Sequence, residues 1–168
     1  MTSTKKITKS KKNRTKKYQE IKFNKISPSN LLKLFSQKKV AIVNTLDDNI
    51  VINTKPINTL SSFGKNFIDN SCNKFKLFDV IILYCANTTC NASQKYAEKL
   101  SKKCVSIRQK ILLYEGGIYE WCLLNFSFPD IYTLVNIKHN SELTKDEIEN
   151  YFNNMKHLPI SENNDKYP

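Results

Sequence analysis

Apolar runs alternate along this chain with polar turns and with segments of helical spacing. The runs at residues 40–43, 50–52, 80–83 and 111–114 are rich in Val, Ile and Leu and are bounded by polar residues. Continuous runs of this kind are typical of strands buried on both faces of a parallel sheet. The alternating segment 131–137 predicts one more strand near the carboxyl end of the chain.

Segments of helical spacing lie between these runs. Helix starts are predicted at Ser27-Pro28, just after Asn91, at Ile118 and at the capping box of residues 144–147. A weaker helical pattern covers residues 61–69. Strands that alternate with helices predict an α/β protein. We therefore expect a small parallel sheet flanked by helices on both faces, followed by a C-terminal helical extension.

The central strand and the helix after it frame a cysteine. Cys85 follows the apolar run Val80–Leu83, and the next helical segment begins at Ala92. Ligands of open α/β sheets bind at the carboxyl ends of the strands. The free N–H groups and the dipole of a helix start favour a thiolate over a thiol. The pattern therefore predicts an ionised, reactive Cys85.

Most of the positive charge lies near the amino end. The net charge is +12, and residues 5–17 contain eight basic residues and no acidic one. Such a segment predicts a disordered basic tail at 1–24, before a domain at 25–128 and an extension at 129–168 whose end frays. The tail is suited to a nuclear localisation signal or to nonspecific contact with an acidic partner. It lacks the interleaved aromatic residues that specific nucleic-acid binding would need.

The cysteines and the hydropathy indicate the compartment. Neither a secretory h-region nor a run of membrane-spanning length follows the basic segment, so we expect a cytoplasmic protein without a membrane partner. An odd number of cysteines in such a chain predicts reduced thiols, and Cys72, Cys104 and Cys122 are expected to be core or incidental residues. No C-x-x-C pair occurs and the two histidines stand alone, so neither a metal nor a cofactor is expected.

Three segments together resemble a known family. They are Leu83-Tyr84-Cys85, Cys90-Asn91-Ala92-Ser93 and the segment Tyr114-Glu115-Gly116-Gly117-Ile118-Tyr119-Glu120-Trp121. A strand ending in Tyr-Cys, a short turn into a helix, and a strand ending in Glu-Gly-Gly-Ile with Glu-Trp beyond it resemble the rhodanese-like sulfurtransferase domain. The likeness extends over residues 25–126.

The resemblance implies a site as well as a fold. Cys85 would be the nucleophile, taking sulfane sulfur from a small-molecule or protein donor, holding it as a persulfide and passing it to a thiol acceptor. Backbone N–H groups of the loop would surround the anionic sulfur, and Thr88 and Thr89 would donate hydroxyl hydrogens to a donor or to the persulfide. The loop residues are Ala86, Asn87, Thr88, Thr89, Cys90 and Asn91, and the supporting residues are Ser93, Gly116, Gly117 and Trp121. The two adjacent glycines predict a tight turn that needs a positive φ or close backbone approach. Trp121 is expected to pack in the core beneath this turn.

Several departures from the family pattern keep other functions open. Asn44-Thr45-Leu46 stands where the family usually has Asp-x-Arg, and its Gly-His-Ile segment is absent. These departures favour a catalytically inactive binding or regulatory module that keeps the fold. The loop contains no cation, which disfavours thiosulfate and favours a persulfide or protein donor. Asn91 occupies the arginine position of the related Cys-x5-Arg phosphatases, which argues against phosphatase activity.

A third alternative is a thiol redox sensor. Cys90 follows Cys85 by five residues across the predicted turn. In this hypothesis Cys90 resolves a persulfide or sulfenate on Cys85 by forming a disulfide.

Overall fold

Strands of two sheets and the helices around them build the protein. The computed structural model describes residues 21–46, 48–54, 61–63 and 72–156. The strands in this part of the chain are β1 (Asn24–Lys25), β2 (Val40–Asn44), β3 (Ile50–Thr54), β4 (Ser61–Phe63), β5 (Val80–Tyr84), β6 (Ile111–Tyr114), β7 (Tyr132–Asn136) and β8 (Ser141–Glu142). One sheet is parallel, with the order β1-β6-β5-β2-β4, and the other is antiparallel, with the order β3-β7-β8.

The helices start largely where their capping residues predict. They are α1 (Pro28–Gln37), α2 (Cys72–Phe75), α3 (Ala92–Lys103), α4 (Gly117–Ser127) and α5 (Lys145–Lys156), with a 3-10 helix at Val105–Lys110. Ser27 caps α1 by accepting a hydrogen bond from the N–H of Asn30. The predicted capping box precedes α5, with Thr144 and Glu147 bonding to each other's backbone N–H groups. None of these helices is both long and apolar enough to cross a membrane.

Alternating side chains of the parallel sheet reach two separate hydrophobic clusters. In β5, Ile82 and Tyr84 join a cluster with α1 and α4, whereas Ile81 and Leu83 join a cluster with α3. All four side chains are fully buried. The continuous apolar runs thus correspond to strands covered on both faces, as predicted, and the protein belongs to the α/β class.

The antiparallel sheet extends the first of these clusters. β3 pairs with β7 over its whole length, so the run predicted at 50–52 lies outside the parallel sheet. The predicted strand at 131–137 is confirmed as β7. Helix α5 contributes the buried Ile148, and Phe152 stacks on Tyr119 of α4 with 4.8 Å between ring centroids. The helix after residue 128 therefore packs on the core.

Residues 61–63 form a strand, so the helix predicted at 61–69 is wrong for this part. The segment pairs in parallel with Ala41–Val43 at the edge of the sheet. Backbone hydrogen bonds to an existing strand outweigh a weak helical pattern here, because helix propensity is only a weak prior. The remainder of that prediction, residues 64–69, lies outside the described residues.

The parallel sheet begins earlier than the predicted domain boundary. Asn24 pairs with Leu112 in the β1–β6 ladder, and Phe23 packs against a hydrophobic cluster. Lys25 forms a salt bridge with Glu115, with 2.8 Å between Nζ and Oε1. The boundary placed between residues 24 and 25 therefore divides a strand. Residues 1–20 of the predicted tail and residues 157–168 of the predicted frayed end lie outside the described part of the chain.

A disulfide joins Cys72 to Cys104, which corrects the prediction of reduced thiols for these two residues. Cys72 begins α2 and Cys104 caps the end of α3, and both contribute to the same hydrophobic cluster. Their Cα atoms are 5.6 Å apart, a usual separation for a disulfide. The fold brings these cysteines together from a sequence separation of 32 residues, which their spacing alone does not reveal.

Candidate functional site

Cys85 lies where its sequence context places it, directly after β5 and at the carboxyl edge of the parallel sheet. A turn of residues 86–91 connects it to α3. The strand end before it is held in place, because the carbonyl oxygen of Tyr84 accepts hydrogen bonds from both the backbone N–H and the hydroxyl of Thr45. The side chain of Cys85 is buried, with a residue exposure of 1%.

The Gly116-Gly117 turn packs directly on the cysteine turn. Gly117 has a φ of +60°, and a Cβ atom there would lie 2.2 Å from the carbonyl oxygen of Cys85. At the start of α4, the N–H of Ile118 donates to the carbonyl oxygen of Cys85 at 3.0 Å. The next N–H, of Tyr119, donates to the carbonyl oxygen of Ala86 at 2.9 Å. The glycine pair thus provides the positive φ and the close backbone approach that the sequence indicated.

The thiol of Cys85 is surrounded largely by hydrogen-bond acceptors. Its Sγ donates to the carbonyl oxygen of Cys90 at 3.2 Å, and the Oγ of Ser93 lies 3.5 Å away. The hydrogen bond with the Cys90 side chain and burial raise the pKa of Cys85, whereas Ser93 acts in the opposite direction. Cys85 is therefore a neutral thiol in this arrangement. The expectation of an ionised Cys85 is corrected, because its proton bonds to neighbouring acceptors.

Cys90 holds the position that favours an anion. Hydrogen bonds from the Cys85 thiol and from the backbone N–H groups of Ala92 and Ala86 lower the pKa of Cys90 to about 6. Burial opposes this shift, but the side chain is only half-buried. Two of the main-chain donors expected around the Cys85 sulfur thus stabilise the sulfur of Cys90 instead. The pKa of Cys90 is lowered and that of Cys85 is raised, so ionisation is favoured on the more accessible residue.

The remaining turn residues organise the loop itself. The side-chain oxygen of Asn87 accepts hydrogen bonds from the backbone N–H and the hydroxyl of Thr89, at 3.0 and 2.8 Å. The Thr89 hydroxyl is therefore engaged within the turn, contrary to its expected role as a donor to a ligand. Thr88 and Asn91 are exposed, and the side chain of Asn91 makes no capping hydrogen bond to α3.

Trp121 lies on α4, the helix whose first turn contacts the cysteine turn. Its indole N–H donates to the carbonyl oxygen of Thr133 in β7 at 2.8 Å. The ring is fully buried and packs edge-on against Tyr114 and Tyr132. Its predicted role in core packing is confirmed, and it fastens the helix that carries the glycine pair to the antiparallel sheet.

Other chemical groups lie apart from this turn. Burial raises the pKa of the Cys122 thiol, on α4, to about 12, so this residue is a poor nucleophile. A groove of about 330 Å³ lies between the antiparallel sheet and α5, lined by His139, Glu142 and Tyr151 among others, and includes none of the predicted site residues. Among residues 21–46, 48–54, 61–63 and 72–156, no cluster of three or more His, Cys, Asp or Glu is arranged to hold a metal ion.

Comparison with protein-family models, with curated proteins and with solved structures finds no match for this chain. The function must therefore be argued from the site alone. What the site offers is a buried Cys85 thiol that donates to the carbonyl oxygen of Cys90, beside a half-buried Cys90 side chain whose pKa is lowered to about 6, in a turn without charged side chains. A thiolate formed at neutral pH attacks electrophilic sulfur without a separate base. The spacing of Cys85 and Cys90 indicated the pair, but the distribution of charge between them depends on which backbone groups face each sulfur.

Proposed function

We propose that this protein is a rhodanese-like sulfurtransferase that carries sulfane sulfur as a persulfide on Cys85. One contact between two distant segments supports this function most strongly. The two segments that carry the resemblance, around Cys85 and around Gly116-Gly117, lie in direct contact, with Ile118 bonded to the carbonyl oxygen of Cys85. Residues more than thirty positions apart in sequence are thus joined at the edge of the sheet where ligands bind in open α/β folds.

The surroundings of Cys85 are suited to storing a reactive sulfur. Burial at 1% exposure limits its contact with water and with solution thiols. Hydrogen bonds from the side chain and the backbone of Ser93 favour the anionic form of the sulfur, so these groups would support a persulfide anion. The uncharged turn suits a persulfide donor, either a small molecule or a protein, better than the dianion thiosulfate. A thiol would be the final acceptor.

Intact-mass analysis tests this proposal. The full chain is incubated with cysteine persulfide, freed of excess donor and mapped by peptide mass spectrometry after trapping with an alkylating reagent. We expect a gain of one sulfur atom, which fragmentation of the peptide that contains both Cys85 and Cys90 should locate on Cys85. Cys122→Ser is the matched control, because it removes a buried thiol outside the turn, and it should load as the wild type does. A wild-type protein that gains no sulfur would disprove the proposal.

One contact favours a second candidate, a thiol redox pair. Cys85 and Cys90 are hydrogen-bonded across the turn, and the half-buried Cys90 has the lowered pKa that makes a thiol sensitive to oxidation. Hydrogen peroxide would convert the Cys90 thiolate to a sulfenic acid and release hydroxide, and the sulfenic acid would condense with the Cys85 thiol to give a disulfide and water. Stoichiometric peroxide should then remove two alkylatable thiols and lower the mass of the tryptic peptide 77–95, which contains both cysteines, by two hydrogens. Retention of both thiols would rule this function out.

A further inference from the structure

We propose that Cys90 is the exchange site of the sulfurtransferase: it takes sulfur from the donor, delivers it to Cys85 for storage and returns it to the acceptor. This inference rests on the proposed function and divides its chemistry between two residues. Cys85 is the buried carrier, whereas Cys90 reacts with molecules from solution.

The two cysteines differ in how easily a donor molecule can reach their sulfur atoms. A thiol that attacks a persulfide must approach the outer sulfur along the line of the breaking S–S bond, so the donor must reach it. Cys85 is 1% exposed, and Gly117 packs against its backbone. Cys90 is half-buried and lies in the same turn as the exposed Thr88 and Thr89. A donor from solution therefore meets the sulfur of Cys90 first.

The two cysteines also differ in the direction of the hydrogen bonds to their sulfur atoms. The Sγ of Cys85 donates to the carbonyl oxygen of Cys90 and lies beside Ser93, so this thiol holds its proton. The sulfur of Cys90, by contrast, accepts hydrogen bonds from the backbone N–H groups of Ala86 and Ala92. Because the thiolate is the nucleophilic form of cysteine, the residue surrounded by donors attacks and the residue facing acceptors supplies a proton.

The two steps balance without an added oxidant or reductant. In the first, the Cys90 thiolate attacks the outer sulfur of a donor persulfide, the S–S bond of the donor breaks, and the donor leaves as a thiolate. In the second, the sulfur of Cys85 attacks the outer sulfur of the Cys90 persulfide. The S–S bond on Cys90 breaks as the Cys85 proton moves to the Cys90 sulfur. The sulfane sulfur keeps its oxidation state in both steps.

Return of the sulfur to a thiol acceptor uses the same two steps in reverse order. The Cys90 thiolate attacks the outer sulfur of the Cys85 persulfide, and the acceptor thiolate then removes that sulfur from Cys90. The acceptor, like the donor, therefore needs to reach only Cys90. This route explains how a carrier with 1% exposure can exchange sulfur with solution.

The test follows the position and rate of loading by rapid quench with cysteine persulfide. The proteins are the wild type, Cys85→Ser, Cys90→Ser and the control Cys122→Ser. In the wild type, sulfur should appear on Cys90 first and then on Cys85, and in Cys85→Ser it should remain on Cys90. In Cys90→Ser, loading of Cys85 should slow by about tenfold or more, because the donor must then reach the 1% exposed Cys85 directly and burial still opposes its thiolate.

The outcomes separate this inference from the proposed function. If Cys90→Ser loads Cys85 at the wild-type rate, Cys90 is not the exchange site, although the protein remains a sulfurtransferase. If the wild type gains no sulfur at all, the proposed function itself is lost. A second measurement avoids dependence on the folding of Cys90→Ser. Limited alkylation of the wild type should modify Cys90 before Cys85, and the reverse order would overturn the inference.

Discussion

The thiol of Cys85 donates a hydrogen bond to the carbonyl oxygen of Cys90 across the turn, with 3.2 Å between sulfur and oxygen. This contact fixes the proton on the deeper of the two sulfurs. It also means that chemistry at either cysteine depends on the ionisation of the other, as in any closely coupled pair of titrating groups.

The alkylation of Cys90 should depend on pH with a midpoint well below that of a free thiol. The pKa of Cys90 is lowered to about 6, so its thiolate population and its reaction rate should fall as the pH drops through that value. Iodoacetamide modification, followed peptide by peptide between pH 4 and about 9, measures this midpoint. Cys122, whose pKa is raised by burial, provides the internal control and should react slowly throughout. A midpoint at Cys90 near the free-thiol value of about 8.5 would contradict the hydrogen-bonding pattern described.

Gly117→Ala should destabilise the fold and distort the cysteine turn. The new Cβ would lie 2.2 Å from the carbonyl oxygen of Cys85, at a residue with a φ of +60°. Backbone strain of this kind costs about 1–3 kcal/mol, which urea denaturation followed by far-ultraviolet circular dichroism would detect. Gly116→Ala is the matched control, because its φ is negative and its nearest clash is with the side chain of Glu120. Equal losses in the two variants would argue against the backbone contact at Gly117.

Replacing the Cys72–Cys104 disulfide should lower stability without removing the reactive pair. A cross-link between cysteines 32 residues apart restricts the unfolded chain, and its loss typically costs about 2–4 kcal/mol. Cys72→Ser with Cys104→Ser should therefore unfold at lower urea than the wild type, while the alkylation midpoint of Cys90 stays the same. Thiol counting offers a direct check, since the oxidised, unfolded wild type should show three free thiols, those of Cys85, Cys90 and Cys122. A count of five would mean that the bond is absent.

Thr144→Ala should weaken the start of α5. The hydroxyl of Thr144 accepts from the N–H of Glu147, whose carboxylate accepts from the N–H of Thr144 at 2.7 Å. Loss of such a cap costs about 0.5–2 kcal/mol, measured as a shift of the urea midpoint. Lys145→Ala, at the neighbouring exposed position, should leave that midpoint nearly unchanged. If both substitutions had the same effect, the capping contact would not be the cause.

Local signals were sufficient to predict much of the fold. The Ser27-Pro28 start of α1, the apolar run that forms β5 and the capping box of α5 each appear where their residues indicate. These features depend on neighbours in sequence, so they can be inferred from spacing. The placement of β3 in a second sheet and the bond between Cys72 and Cys104 depend on contacts between distant segments, and no local pattern encodes them.

The candidate site shows the same division. The position of Cys85 after a buried strand, and the need for glycine at residue 117, were evident from the sequence. The sequence did not reveal which of the two sulfurs ionises more readily. That property depends on the orientation of individual N–H and carbonyl groups in a six-residue turn.

Hydrogen bonds hold helix α4 in place at two points. Its first turn is tied to the carbonyl oxygens of Cys85 and Ala86, and one turn later its indole is tied to Thr133. The cysteine turn and helix α4 are thus joined through main-chain hydrogen bonds, so a shift of the turn would be passed on to the helix that carries Trp121. Because Trp121 is the single tryptophan of the chain, its intrinsic fluorescence can report a change in the cysteine turn without an added label.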